Sequence, residues 1–182
     1  MTSWVNFVRV GALRIAVVCV TALAALPVVV SAASNASAAT VKSCAPAQLS
    51  LARGARHGTA GTAYIAIIFT NKGESCALWG VPAIQPVTGP LRKAVGPGAH
   101  SLSMGQMPLR HVLRKGKSVS VAIGVVDTGN YPSSSCVART ATGVVVSLSP
   151  FIHPTYLRLP IKVCTRRWSV TTRLLAPGTT GA

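Results

Sequence analysis

Between Gln48 and Leu174, apolar residues recur with a period of two in one short run after another, and turn-forming residues close each run. Tyr64-Ile65-Ala66-Ile67-Ile68-Phe69 is β-branched and aromatic, with Gly61 before it and Asn71-Lys72-Gly73 after it. Ser118 to Val126 (SVSVAIGVV) alternates small polar with apolar residues, the pattern of a strand with one buried face. Gly143 to Leu148 and Tyr156 to Val163 flank Pro150-Phe151-Ile152-His153-Pro154, which predicts a hairpin connection. Trp168 to Leu174 alternates again, Gln48 to Arg53 opens the series, and Leu78 to Gln85 adds a further short strand. The apolar spacing of an amphipathic helix is sustained nowhere in this region. Twelve prolines and sixteen glycines fall at turn-like intervals. The pattern predicts an all-β, immunoglobulin-like antiparallel sandwich of about seven to nine strands. A barrel is disfavoured because no long, uniform series of hairpins is visible.

From Val87 to Arg110 the alternation fails. Gly89-Pro90, Gly96-Pro97-Gly98 and Met107-Pro108 interrupt it, so this stretch reads as loops around one or two weak edge strands. Loops on a rigid β-scaffold are where such folds carry function. The last residues, 178–182 (GTTGA), read as a flexible tail.

Residues 1–38 have the form of a secretory signal. Arg9 and Arg14 supply a basic start, Ile15 to Leu26 is an unbroken apolar run, and Pro27 ends it. Ala36-Ser37-Ala38 places the cleavage site after Ala38, with Val30-Ser31-Ala32 as the second choice. Retention as an uncleaved anchor is disfavoured, because Ile15 to Val30 is shorter than the ~18–20 residues that span a bilayer. Cys19 follows Val18 inside the apolar run, not a small residue, which argues against a lipid anchor. Residues 39–43 then form a short linker, and 44–177 the domain. The implied location is secreted, extracellular or attached to the cell envelope.

Beyond the leader the cysteines are Cys44, Cys76, Cys136 and Cys164. An even set in an exported chain reads as a disulfide framework, and no Cys-x-x-Cys pair points to zinc or redox work. Hairpin arithmetic pairs them. If 48–53 and 63–70 are antiparallel neighbours, Cys44 arrives opposite residues near Asn71, within reach of Cys76. The hairpin about residues 151–154 likewise brings Cys164 toward Ala141, close to Cys136. Cys44–Cys76 and Cys136–Cys164 are therefore expected.

One block goes beyond generic strand grammar. Phe69-Thr70-Asn71-Lys72-Gly73-Glu74-Ser75-Cys76-Ala77-Leu78-Trp79-Gly80-Val81-Pro82 combines a strand ending in Asn-x-Gly with a Cys-x-Leu-x-Gly-x-Pro segment. Cys44, Ala60-Gly61-Thr62, Leu113-Arg114-Lys115-Gly116-Lys117-Ser118 and Val163-Cys164 stand at the corresponding landmarks. The block resembles a family of exported actinobacterial domains, domain of unknown function 4232, over about Cys44 to Pro177. Lys115-Gly116 replaces the Pro-Gly usual there and makes that turn more basic. The resemblance implies fold and export, and no biochemical activity.

Charge narrows the chemistry. The chain has eighteen Lys plus Arg against two acids, Glu74 and Asp127. Taking Arg9 and Arg14 away with the leader lowers the formal +16 to +14. Paired-carboxylate hydrolysis has only those two acids to draw on, and neither Gly-x-Ser-x-Gly nor His-Glu-x-x-His occurs. A non-enzymatic binding or structural domain of the envelope is therefore expected, without a cofactor. Its expected partner is an anionic envelope polymer or acidic lipid surface. Nucleic acid is disfavoured by export and by the lack of a recognition helix. The anion-binding candidates are Arg110, Arg114, Lys115 and Lys117, concentrated before the Ser118 strand. Strand alternation also places Arg158 and Lys162 on one outward face with Tyr156. The alternative function is a Cu(I) carrier using His100, Met104, Met107 and His111, since thioether and imidazole are soft ligands. An unrecognised hydrolase is the third reading.

Overall fold

A computed structural model describes residues 40–181, so the expected secretory leader and its expected cleavage sites lie outside the described residues. The domain is all-β, with strands β1 (Leu49–Thr59), β2 (Thr62–Asn71), β3 (Cys76–Leu78), β4 (Ala83–Thr88), β5 (Lys93–Ala94), β6 (His100–Ser101), β7 (His111–Leu113), β8 (Ser118–Val126), β9 (Ala138–Leu148), β10 (Ile152–Cys164), β11 (Val170–Thr172) and β12 (Ala176–Pro177). The segments exceed the expected seven to nine because several loops pair for only two or three residues. The Pro- and Gly-rich middle is one such region, contributing only β5 and β6 between β4 and β7.

The first sheet runs β1-β2-β8-β11-β6, with β12 also pairing β8, and the second runs β10-β9-β4-β5. β3 and β7 form a separate two-stranded pair. Pairing is antiparallel except for β11 with β6 and a single bridge from Ser43 to Ala77. Ile65, Ile67, Phe69, Val121 and Ile123 of the first sheet share one core with Val144, Val146, Leu159 and Ile161 of the second, as in a sandwich. The β3/β7 pair contributes Cys76, Leu78 and Leu113 to that same core.

β10 alternates as its sequence requires, with Leu159, Ile161 and Val163 buried and Arg158 and Lys162 exposed. β1 is an edge strand, and its pairing with β2 shifts register between Arg53 and Arg56, both exposed. A bulge bearing cations discourages another strand from adding to that edge.

Both disulfides form as the hairpin arithmetic requires. Cys44–Cys76 and Cys136–Cys164 each bridge Cα atoms 4.8 Å apart. The registers that produce them pair Leu49 with Asn71 and Ala138 with Cys164. Among the described residues no helix is long and apolar enough to cross a membrane.

Residues 178–181, expected as a free tail, are instead held along β8. β11 pairs only with the Gly124–Val125 end of β8, and β12 with the Val119–Ser120 end. Between them Gly181 donates to Ser120 Oγ (2.8 Å) and accepts from the Ala122 amide (3.1 Å). The tail satisfies backbone groups that a buried central strand would otherwise leave unpaired.

Candidate functional site

The densest basic region is built around a buried asparagine. Asn71 ends β2 with no exposed surface. Its Nδ2 donates to the carbonyls of Glu74 (2.7 Å) and Leu113 (2.9 Å), while its Oδ1 accepts from the Gly73 amide (2.9 Å) and Gln48 Nε2 (3.2 Å). Its backbone carbonyl accepts from the Gly116 amide (2.7 Å), and its own amide donates to the Lys117 carbonyl (3.0 Å). One side chain therefore ties the 71–74 turn to the loop that joins β7 to β8.

That second loop is a tight turn, closed by the Lys117 amide on the Arg114 carbonyl (2.9 Å), with Gly116 at φ +78°. Glycine adopts this left-handed backbone without steric cost. Arg114, Lys115 and Lys117 are all exposed on it. Lys72, exposed on the neighbouring turn, joins them. Sequence reasoning passed over Lys72, although its place inside the Asn71 turn is the signal that would have found it.

Arg110, also expected in this cluster, is arranged differently. Its guanidinium lies 5.3 Å from the Trp79 ring centroid and donates to the Val41 carbonyl. It remains exposed, yet its charge is held against the domain, whereas Arg114, Lys115 and Lys117 project from a turn.

The four soft ligands occupy separate settings. His100 is on β6, its ring stacked on Trp168 at 4.6 Å between centroids. His111 is on β7, and its Nε2 donates to the Leu175 carbonyl (3.0 Å). Met104 and Met107 lie in the loop between them and are 75% and 88% exposed. The two histidines thus belong to different sheets, and one imidazole nitrogen is already engaged. Among the described residues, no three His, Cys, Asp or Glu side chains gather as a metal site.

The carboxylates stand apart as well. Glu74 follows the Asn71 end of the β2/β8 ladder, and Asp127 follows its opposite end, where Thr62 pairs with Val126. A ladder of that length separates them by about 25–30 Å, beyond the ~5–10 Å at which two carboxyl groups cooperate in glycoside cleavage. Asp127 is also occupied, with Oδ1 accepting from the Gly129 amide (2.9 Å). A groove of about 830 Å³ opens at that end, lined by Arg56, His57 and Lys162 over Ile65, Val125 and Ile161.

The comparisons with known proteins agree with the architecture and add no ligand. No curated protein and no solved structure matches the chain. A family model does match, over residues 44–176, and its span takes in both disulfides, the Asn71 turn and the basic turn. The chain therefore belongs to the family described as a domain of unknown function, DUF4232.

Proposed function

We propose that this domain is an exported, non-enzymatic binding module of the cell envelope that attaches to anionic surfaces through its basic end. The observation that carries this reading is the Arg114–Lys117 turn, held by the buried Asn71 so that three cations project from a fixed backbone. With two acids in the whole chain, internal ion pairing can occupy only a small share of the cations. A polyanion approaching this end meets a field with little local opposition, Glu74 being the one carboxylate nearby.

The test is co-sedimentation of residues 39–182, which form one compact unit, with acidic vesicles and with a soluble polyanion such as polyphosphate. Micromolar association is expected at 0.1 M salt. It should be largely lost at 1 M, because the screening length falls from about 10 Å to about 3 Å. Each cation near an anionic lipid surface contributes about 1 kcal/mol, so Arg114→Ser, Lys115→Ser and Lys117→Ser combined should weaken vesicle binding about 100-fold. Arg110→Ser alone should matter less, its guanidinium being held against Trp79. Binding indifferent to both salt and the triple replacement would overturn the proposal.

A further inference from the structure

Large apolar side chains left in solvent are few in this domain and unevenly spread. Leu102, Met104, Met107, Leu109 and Val112 are 47–88% exposed and fall within one short stretch, Trp168 is exposed where it stacks on His100 just before it, and Leu91 is exposed apart from them. Every residue from Met104 to Arg110 is exposed. Water-facing apolar residues concentrated in one loop mark an interaction surface more often than scattered ones do.

The loop is not loose at its base. On one side the Leu102 amide donates to the Thr172 carbonyl (2.9 Å), and buried Ser103 accepts the Leu174 amide on its Oγ (3.0 Å). On the other side His111 is fixed to the Leu175 carbonyl. Between these anchors the Gln106 amide donates to the Ser103 carbonyl (3.2 Å), closing a turn with Gly105 at φ +78°. Met104, Met107 and Leu109 are thus presented on a projection whose two feet are pinned to the same 174–175 segment.

Charge near the projection is mainly positive, with Glu74 the one acid beside the farther basic turn. Arg110 belongs to it, exposed Arg173 adjoins its Leu174 anchor, and the Arg114–Lys117 turn follows β7, about 10 Å along. Apolar side chains with cations on the adjoining segments match an acidic bilayer, where apolar groups sink about 5–10 Å to the headgroup boundary and Lys and Arg remain among the phosphates. A soluble polyanion would use the cations and leave the apolar tip in water.

We infer that the Met104–Leu109 loop is an interfacial membrane tip, which inserts into acidic lipid while the adjoining cations hold the headgroups. This deepens the anionic-surface reading and rests on it. Phosphatidylglycerol/phosphatidylcholine vesicles, pure phosphatidylcholine vesicles and polyphosphate separate the two claims. Met104→Ser, Met107→Ser and Leu109→Ser combined should lower partitioning onto acidic vesicles about tenfold or more, with polyphosphate affinity and thermal stability unchanged. Leu109→Trp should show a blue-shifted emission quenched by brominated acidic lipid. Vesicle binding unchanged in the triple variant would overturn the membrane tip and leave the charge reading standing. Failure of the unaltered domain to bind either acidic vesicles or polyphosphate would overturn both. If the triple variant instead converts a dimer to a monomer with vesicle binding intact, the tip is a self-association surface and the inference fails.

Discussion

Replacing Asn71 with Asp is expected to destabilise the domain by about 4 kcal/mol, the largest effect we assign to any single side chain. The exchange is nearly isosteric, so no cavity or clash contributes. Oδ1 can still accept from the Gly73 amide and Gln48. What changes is the other atom, because a carboxylate oxygen replaces the Nδ2 that donates to the Glu74 and Leu113 carbonyls. Two hydrogen bonds become two repulsive oxygen–oxygen contacts, in a place with no solvent exposure. Leaving a buried polar group unsatisfied costs about 1–3 kcal/mol, and an uncompensated charge costs more. For a domain of this size the melting temperature should fall by about 10–15 °C. Urea unfolding of both proteins checks it, and a loss below about 1 kcal/mol would show that the two turns hold without the amide.

Removing the Cys44–Cys76 bridge, as Cys44→Ala with Cys76→Ala, should cost about 3.5 kcal/mol in the chain-entropy model. The cysteines are 32 residues apart, and the bridge closes a loop containing the whole β1–β2 hairpin. Its local consequences are distinctive. The Cys44 amide donates to Ala77 (2.9 Å) and the Ala77 amide to Lys42 (2.8 Å), so the bridge seats the start of the domain beside β3. That start supplies the Val41 carbonyl that receives Arg110. Losing the bridge should therefore free Arg110 as well as lower stability. The penalties of this change and of Asn71→Asp should not add, since both act on the turn between β2 and β3. Equal melting temperatures for the bridged and bridgeless proteins would refute the assignment.

Much of the fold was legible because period-two alternation carries both strand identity and facing. Ser118–Val126 was read to the residue, and the same rule turns Leu157, Leu159 and Ile161 inward, of which Leu159 and Ile161 are buried and Leu157 packs half-buried against the core. The disulfide pairing was legible because hairpin register turns sequence separation into distance. Where pairing lasts only two or three residues, as in β5, β6 and β12, no periodicity exists to be read. The candidate site was half legible. Arg114, Lys115 and Lys117 stand out as a run, but Lys72 reaches them only through the tertiary bonds of Asn71. Met104 and Met107 stand out in the sequence as soft ligands, but their exposure is not legible there, because a buried and a solvent-facing methionine look the same in a loop without alternation. Arg110 illustrates the reverse. Its charge is legible in the sequence, while the Trp79 ring that holds it lies in another segment.

The seam in which residues 176–181 meet β8 sets a schedule for assembly. A chain delivered N-terminus first can zip β1 onto β2 early, since their turn spans only Thr59–Thr62. β8 can then dock on β2, but its far edge waits for β11 and β12, which begin at Val170 and Ala176. Until Gly181 reaches Ser120, a long apolar strand at the middle of the sheet stays open along one side. Closing such distant segments is slow compared with local hairpins, and an open strand edge invites association with other chains. Residues 176–181 therefore act as a latch on that edge: a chain lacking them would leave it sticky for as long as it survived.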